Sequence, residues 1–262
     1  MTFLRDVLVV SDLDGTLLDH ETYAWTAAAP ALDVLRSAGA TLILASSKTA
    51  AEITPIRAEI GFDHCPAIVE NGSGLLEPGE TPTKGAPTYT TLRETLRTLP
   101  AGFRGFGDMS ATEISERTGL SIKAAELART RRFSEPGLWT GGALDPFLDA
   151  ARAAGLTAQR GGRFITLSFG GTKADKVSDM IARFKPRHTI VLGDAPNDID
   201  MLALADSGVI VANPASPNLP ILPGEDTGRI RRTAQPGPKG WANAVLDIIQ
   251  EISTKKDARA HG

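Results

Sequence analysis

Two clusters of carboxylates stand out in the chain. In Ser11-Asp12-Leu13-Asp14-Gly15-Thr16, two aspartates stand two residues apart just after the apolar run Val7-Leu8-Val9-Val10. Side chains at that spacing share one side of an extended segment as it ends. One carboxylate can then attack an electrophile such as phosphorus while the other carries a proton, and Gly15 permits the sharp turn that exposes both. A plain acidic loop closed by a glycine turn fits the same residues. Far along the chain, Gly193-Asp194-Ala195-Pro196-Asn197-Asp198 follows a second strand-like run, Thr189-Ile190-Val191-Leu192. These acids suit either oxygen ligands or a helix N-terminus whose dipole they complement. Taken together, the clusters are more specific than either alone. Hard oxygen ligands converging from two strand ends suit Mg²⁺, which combines a few carboxylates with phosphate oxygens and water.

Two further elements accompany them. Ala45-Ser46-Ser47-Lys48-Thr49 closes one strand-like run and opens a helix, where the Ser46 hydroxyl and nearby backbone N–H groups can bind a phosphate oxygen or simply cap the helix. Lys176, in Lys173-Ala174-Asp175-Lys176, falls in the first turn of a helix expected over 173–184. A lysine there opposes the helix dipole, so an anionic partner would explain it; a solvated surface lysine is the alternative.

The elements that must position these residues alternate between strand and helix. Strands are expected at 5–12, 41–45, 67–70, 189–192 and 209–211, and helices at 26–38, from about 49, at 173–184, from 197 and at 241–251. That alternation implies a Rossmann-like parallel sheet with helices on both faces, an α/β fold whose ligands bind beyond the carboxyl ends of the strands. The proline- and glycine-rich stretch 77–88 marks a change of pattern. Beyond it, helices near 90–98, 111–117 and 121–131 and strands at 132–139, 156–159 and 163–169 form an inserted α+β domain. The expected organisation is a core from 1–80 and 170–262 with an inserted cap from 81–169. The tail 255–262 is polar and expected to fray.

With 28 basic against 31 acidic residues, the net charge of −3 argues against a general nucleic-acid or anionic-membrane binder. Cys65 is the only cysteine, so no intrachain disulfide can form, and the N-terminal apolar run is too short for a signal or a membrane span. A cytoplasmic location is the expectation.

Taken in order, these elements resemble the haloacid dehalogenase superfamily of phosphotransferases over nearly the whole chain. Asp12-Leu13-Asp14-Gly15-Thr16 resembles its first motif, Ser46 its second, Lys176 its third and Gly193-Asp194…Asn197-Asp198 its fourth. A cap between the second and third motifs places the chain with the type II cap subgroup. The resemblance implies that Asp12 is the nucleophile, Asp14 the acid and base, and Ser46 and Lys176 the holders of the phosphoryl oxygens. It implies Mg²⁺ held by Asp12, the Asp14 backbone carbonyl and Asp194, with Asn197 and Asp198 orienting its surroundings.

A finer resemblance, to the mannosyl-3-phosphoglycerate phosphatase family, rests on Ser46-Ser47-Lys48-Thr49, Glu70-Asn71-Gly72, Arg132-Phe133-Ser134-Glu135-Pro136-Gly137-Leu138-Trp139 and Gly161-Gly162-Arg163-Phe164. It depicts an enzyme that hydrolyses a glycosyl-phosphoglycerate, a small phosphorylated sugar derivative. Ser47, Asn71, Arg132, Ser134, Glu135, Gly162 and Arg163 are then the expected substrate contacts: the two arginines for a carboxylate, Ser134 and Glu135 for sugar hydroxyls. Trp139 would stack on a sugar or belong to the cap core. The group Arg129-Arg131, Arg132 aside, reads as a solvated cap face. Val177 after Lys176, where the family has glycine, and Gly170-Gly171-Thr172-Lys173, in place of its asparagine-containing turn, depart from the pattern. A broader sugar-phosphate phosphatase, a phosphosugar mutase and a non-catalytic receiver-like domain phosphorylated on Asp12 are the competing readings.

Overall fold

The computed structural model describes residues 2–83, 85–161 and 163–260. In chain order the regular elements are β1 (Val7–Ser11), α1 (Ala29–Ala38), β2 (Thr41–Ala45), α2 (Ala50–Glu59), β3 (Ala67–Val69), β4 (Gly74–Leu76), α3 (Pro87–Arg97), β5 (Phe103–Gly105), α4 (Ala111–Thr118) and α5 (Ile122–Ala128). They continue with β6 (Ser134–Trp139), α6 (Asp145–Ala153), β7 (Thr157–Gly161), β8 (Phe164–Ser168), α7 (Lys173–Phe184), β9 (His188–Gly193), α8 (Ile199–Ala203), β10 (Ser207–Ala212), β11 (Ile230–Pro236) and α9 (Gly237–Ala260). The chain divides into two compact units, one from 1–46, 57–66 and 173–262, the other from 47–56 and 67–172. Segments 47–56 and 67–80, expected with the core, group with the second unit.

In the first unit, parallel strands run in the order β11-β10-β9-β1-β2. All five residues of β1 are buried, as expected of a strand covered on both faces. Helix α1 packs with α9, and α7 with α8. Pro30 lies in the first turn of α1, and Gly39 ends it in the left-handed conformation at φ 70°. Register matters more than any one helix. Ser11 pairs with Leu44 of β2 and with Leu192 of β9, so the carboxyl ends of three neighbouring strands finish level. Asp12, Ser46 and Asp194 follow within two residues of those pairs and are delivered to one edge.

The second unit holds the antiparallel pair β3-β4 and a four-stranded antiparallel sheet in the order β5-β6-β8-β7. Leu92, Phe147, Leu156 and Leu167 form one apolar cluster, and Phe106, Met109, Ile114 and Ala125 another. Helix α4 starts with a reciprocal cap between Ser110 and Glu113.

Glu70 carries much of the unit's internal order. It is 1% exposed, and its carboxylate accepts the backbone N–H groups of Arg132 (2.9 Å), Phe133 (3.1 Å) and Ser134 (2.7 Å) and the Ser134 hydroxyl (2.7 Å). Glu70, Asn71 and Gly72 all have positive φ, a strained path that aims this carboxylate at the start of β6. Glu70→Ala leaves three backbone N–H groups and the Ser134 hydroxyl without this acceptor, each unsatisfied donor costing about 1–3 kcal/mol. The expected loss is at least ~3 kcal/mol in urea unfolding, and a loss below ~1 kcal/mol would mean that water replaces the carboxylate.

Several elements differ from expectation. Helix α9 runs from Gly237 to Ala260, through most of the tail expected to fray. Strands β4 and β5 have three residues each, too few to show a period, and α6 was not anticipated. Strand β11 ends the sheet and carries Arg231 and Arg232, charges typical of an edge strand rather than of the apolar runs that mark its neighbours. No helix among the described residues is long and apolar enough to cross a membrane.

Candidate active site

The carboxyl edge of the first unit's sheet gathers a buried ionic cluster. Asp12 leaves the end of β1 and is tied to β9 by its backbone N–H, which donates to the Leu192 carbonyl at 2.9 Å. Behind it, Trp241 of α9 donates to the Ser11 hydroxyl at 2.9 Å, and that hydroxyl donates to the Asp12 carbonyl at 2.7 Å. The turn after Asp12 places Thr16, whose hydroxyl donates to Asp194 Oδ1 at 2.7 Å. Asp194 Oδ2 accepts from Asn213 Nδ2 at 2.8 Å and from the Ser216 hydroxyl at 2.9 Å. Asp198 accepts the backbone N–H groups of Asp194 (3.0 Å) and Ala195 (3.1 Å) through Oδ2, which folds the β9–α8 loop back on itself.

The cation of this cluster is Lys173. Its Nζ donates to Asp12 Oδ1 at 2.6 Å and to Asp198 Oδ1 at 2.8 Å, and its side chain is 3% exposed. This corrects the expectation for Lys176, which lies one turn along α7, 28% exposed, and pairs with Asp179 at 3.1 Å. The reason is helical phase. Lys173, Val177 and Met180 form the buried stripe of α7, and Lys176 lies off it. Val177, noted as a departure from the family pattern, was the signal, since with Met180 it sets a stripe at i, i+4 and i+7 from 173.

Burial, the largest cause, pushes the Asp12 carboxyl well above its ordinary range; Lys173 pulls it back, and Asp198 and Asp194 push it up further. Burial would lower the Lys173 ammonium, but the Asp12 and Asp198 carboxylates more than offset this and hold it above its ordinary range. Lys173 therefore stays protonated at neutral pH.

Ligand atoms of Asp12, Asp194 and Asp198 all lie within 4.8 Å of one another. Three buried carboxylates against one lysine leave an excess of negative charge on hard oxygens, which fits a divalent cation such as Mg²⁺. Asp198 Oδ1 holds Lys173 and its Oδ2 holds two backbone N–H groups, so it also positions the loop that carries Asp194. Ser46 is buried at the end of β2. Gly15, at φ 81°, has no room for a side chain, since a Cβ there would stand 2.1 Å from Asn213 Nδ2 and 3.2 Å from Asp194 Oδ2. Gly15→Ala is expected to cost at least about 1–2 kcal/mol from the left-handed backbone alone. Chemical denaturation measures this, and an unchanged midpoint would mean that the turn relaxes.

The expected substrate contacts lie in the second unit, apart from Gly162, which is outside the described residues. Ser134 and Glu135 need correction, because both are fully buried with internal partners. The Ser134 hydroxyl binds Glu70; Glu135 accepts from the Tyr89 hydroxyl and from the Gly107 N–H at 2.8 Å, with Arg93 at 3.2 Å. Neither has a hydroxyl or carboxylate facing a ligand. Arg132 pairs with Glu80 at 2.5 Å and lies 5.2 Å from the Phe133 ring centre. Arg163 and Ser47 are exposed, and Asn71 is half-buried in the left-handed conformation. Trp139 belongs to the unit's core, its ring centre 4.6 Å from that of Phe147. Arg131, expected in solvent, is 8% exposed and donates to the Ser47 carbonyl at 3.0 Å.

Comparison with known proteins gives this cluster a context. Residues 9–84 and 164–219 match the model of the haloacid dehalogenase-like hydrolases. The glucosyl-3-phosphoglycerate/mannosyl-3-phosphoglycerate phosphatase of Methanococcoides burtonii is 32% identical over 92% of this chain and 97% of its own length. Its counterpart from Persephonella marina is 30% identical over 94% and 98%. Crystal structures of proteins from Thermoplasma acidophilum (TM-score 0.62, 17% identity, 92% of this chain and 96% of that one) and Geobacillus kaustophilus (0.63, 19%, 93% and 98%) share the fold. The buried carboxylates, their lysine and these matches lead to one conclusion: the chain belongs to the haloacid dehalogenase-like hydrolases and is a phosphoric monoester hydrolase.

Proposed function

We propose that the protein is an Mg²⁺-dependent phosphatase that releases phosphate from mannosyl-3-phosphoglycerate or glucosyl-3-phosphoglycerate through an aspartyl-phosphate on Asp12. The observation that carries the reaction type is Asp12, buried at a strand end and held by Lys173 beside Asp194 and Asp198. The substrate class rests on the relatives' names and on similarity that extends through both units. Bound Mg²⁺ supplies positive charge that offsets repulsion between an attacking carboxylate and an anionic ester.

This chain's residues do the rest. Lys173 fixes Asp12 through Oδ1, which leaves Oδ2 to attack phosphorus as the P–O bond to the glycerate breaks. Asp14 gives its proton to the departing glycerate oxygen. A water molecule then attacks the aspartyl-phosphate, Asp14 takes its proton, and the bond to Asp12 breaks to release inorganic phosphate. Lys173 and the Ser46 hydroxyl hold the non-bridging oxygens, where charge spreads in a loose transition state. Asp198 keeps the loop that presents Asp194 closed through the Asp194 and Ala195 N–H groups, and Asn197 precedes it in that loop. Recognition of the glycosyl and glycerate parts falls to the second unit, with Ser47, Asn71, Arg132 and Arg163 as the remaining candidates.

The test is phosphate release from both glycosyl-3-phosphoglycerates and a panel of simple sugar phosphates, each with Mg²⁺ and with EDTA. The expected result is EDTA-sensitive turnover with kcat/KM at least about tenfold higher for the glycosyl-phosphoglycerates, a preference equivalent to ~1.4 kcal/mol. A flat profile across the panel would leave a general sugar-phosphate phosphatase.

A further inference from the structure

The second unit contains a cavity of about 360 Å³ that shares no residue with the Asp12 site. Four arginines line it, Arg93 and Arg97 of α3 with Arg129 and Arg131 beyond α5, together with Tyr89 and Gly107 and without any acidic residue. The nearest acids are already engaged. Asp108 and Glu135 both pair with Arg93, Glu126 lies 3.5 Å from Arg129, and Glu135 is also held by Tyr89 and the Gly107 N–H. Arg131 is 8% exposed and donates to a backbone carbonyl, yet its Nε–H is buried without a hydrogen-bond acceptor, as is that of Arg129. A buried donor without an acceptor is costly to a fold, and Arg97 and Arg131 add positive charge that no acidic side chain among the described residues pairs. An anion relieves both.

We propose that this cavity is an oxyanion site that binds a small molecule through a phosphate or carboxylate group. The planar guanidinium fork matches either group bidentately. A recess lined with charge of one sign also concentrates its counterion, and the volume lies within the range of small-molecule sites. Binding here requires neither Asp12 nor a metal, so the inference does not depend on the proposed hydrolytic activity.

Isothermal titration of the full chain in EDTA tests it, with inorganic phosphate, glycerate and 3-phosphoglycerate as separate probes. At least one probe is expected to bind, and both Arg131→Leu and the exposed Arg97→Gln should weaken that binding by about tenfold or more, with Asp12→Asn leaving it unchanged. Binding of phosphate alone identifies the phosphate group as the ligand; binding of glycerate and 3-phosphoglycerate without phosphate identifies the carboxylate. Because Arg131 is buried, its variant is read beside its thermal midpoint, and Arg97→Gln and Arg129→Gln serve as variants nearer the surface. Three silent probes overturn the proposal. Binding that survives Arg97→Gln and Arg129→Gln, or that disappears in Asp12→Asn, overturns it as well.

Discussion

Asp12→Asn is expected to lower Mg²⁺-dependent phosphate release by about 10⁴-fold or more, the scale on which hydrolases lose rate with their nucleophile. The same variant should unfold in EDTA at a temperature equal to or above that of the parent. Both outcomes follow from one arrangement. Asp12 is buried beside Asp194 and Asp198, and burial already pushes its carboxyl toward the neutral form. An amide of the same shape removes a costly charge while Lys173 keeps Asp198 as its partner. Added Mg²⁺ should raise the parent's midpoint, by linkage worth ~2.7 kcal/mol at a hundredfold excess over Kd, and the variant should lose most of that rise. Activity within tenfold of the parent would remove Asp12 from the nucleophile's role, and a large fall of the midpoint in EDTA would make it a structural residue.

Lys173→Met and Lys176→Gln form the second comparison, and they should behave oppositely. Lys173 is the counterion of two buried carboxylates, so its removal leaves Asp12 and Asp198 uncompensated. Breaking a buried pair from one side costs about 3–5 kcal/mol, and phosphate release should fall at least about a hundredfold with it. Lys176 shares an exposed i,i+3 pair with Asp179, worth about 0–1 kcal/mol, and its loss should leave both stability and activity near the parent's. The sign of the pH dependence is fixed too. A lysine whose folded-state pKa is raised contributes stability that is complete below its unfolded value near ~10.4 and is lost as pH rises through the folded value. The lysine's own contribution should therefore stay constant through neutral pH and fall away only in alkaline solution. Equal damage from the two variants, read by urea unfolding and phosphate release, would put the lysine assignment back in question.

Much of this was legible in the residues. Runs such as Val7–Ser11 and Thr41–Ala45 announce buried strands because they must be apolar on both faces, and the acids that end them mark the ligand edge. The lysine was harder, since two candidates one turn apart differ only in helical phase, and that phase is readable only from Val177 and Met180. Asn213 and Ser216 were missed outright. Their local sequence is an ordinary loop, and only their position beyond β10 brings them to Asp194. Ser134 and Glu135 illustrate the opposite error, in which polar types in a promising motif turn out to serve the unit's own interior. Nothing in residue type distinguishes a glutamate that accepts Tyr89 from one that accepts a sugar hydroxyl.

The first unit is interrupted in sequence by the second, and this sets an order of events during synthesis. Asp12 is made early, but Lys173, Asp194, Asp198 and Asn213 are made more than a hundred and fifty residues later. On the ribosome, residues 67–172 can complete their own sheet while β1 and β2 still lack β9. A nascent chain that ends before β9 therefore carries Asp12, the proposed nucleophile, but neither Asp194 nor Asp198 nor their loop, and such truncated products should release no phosphate however well their early segments fold.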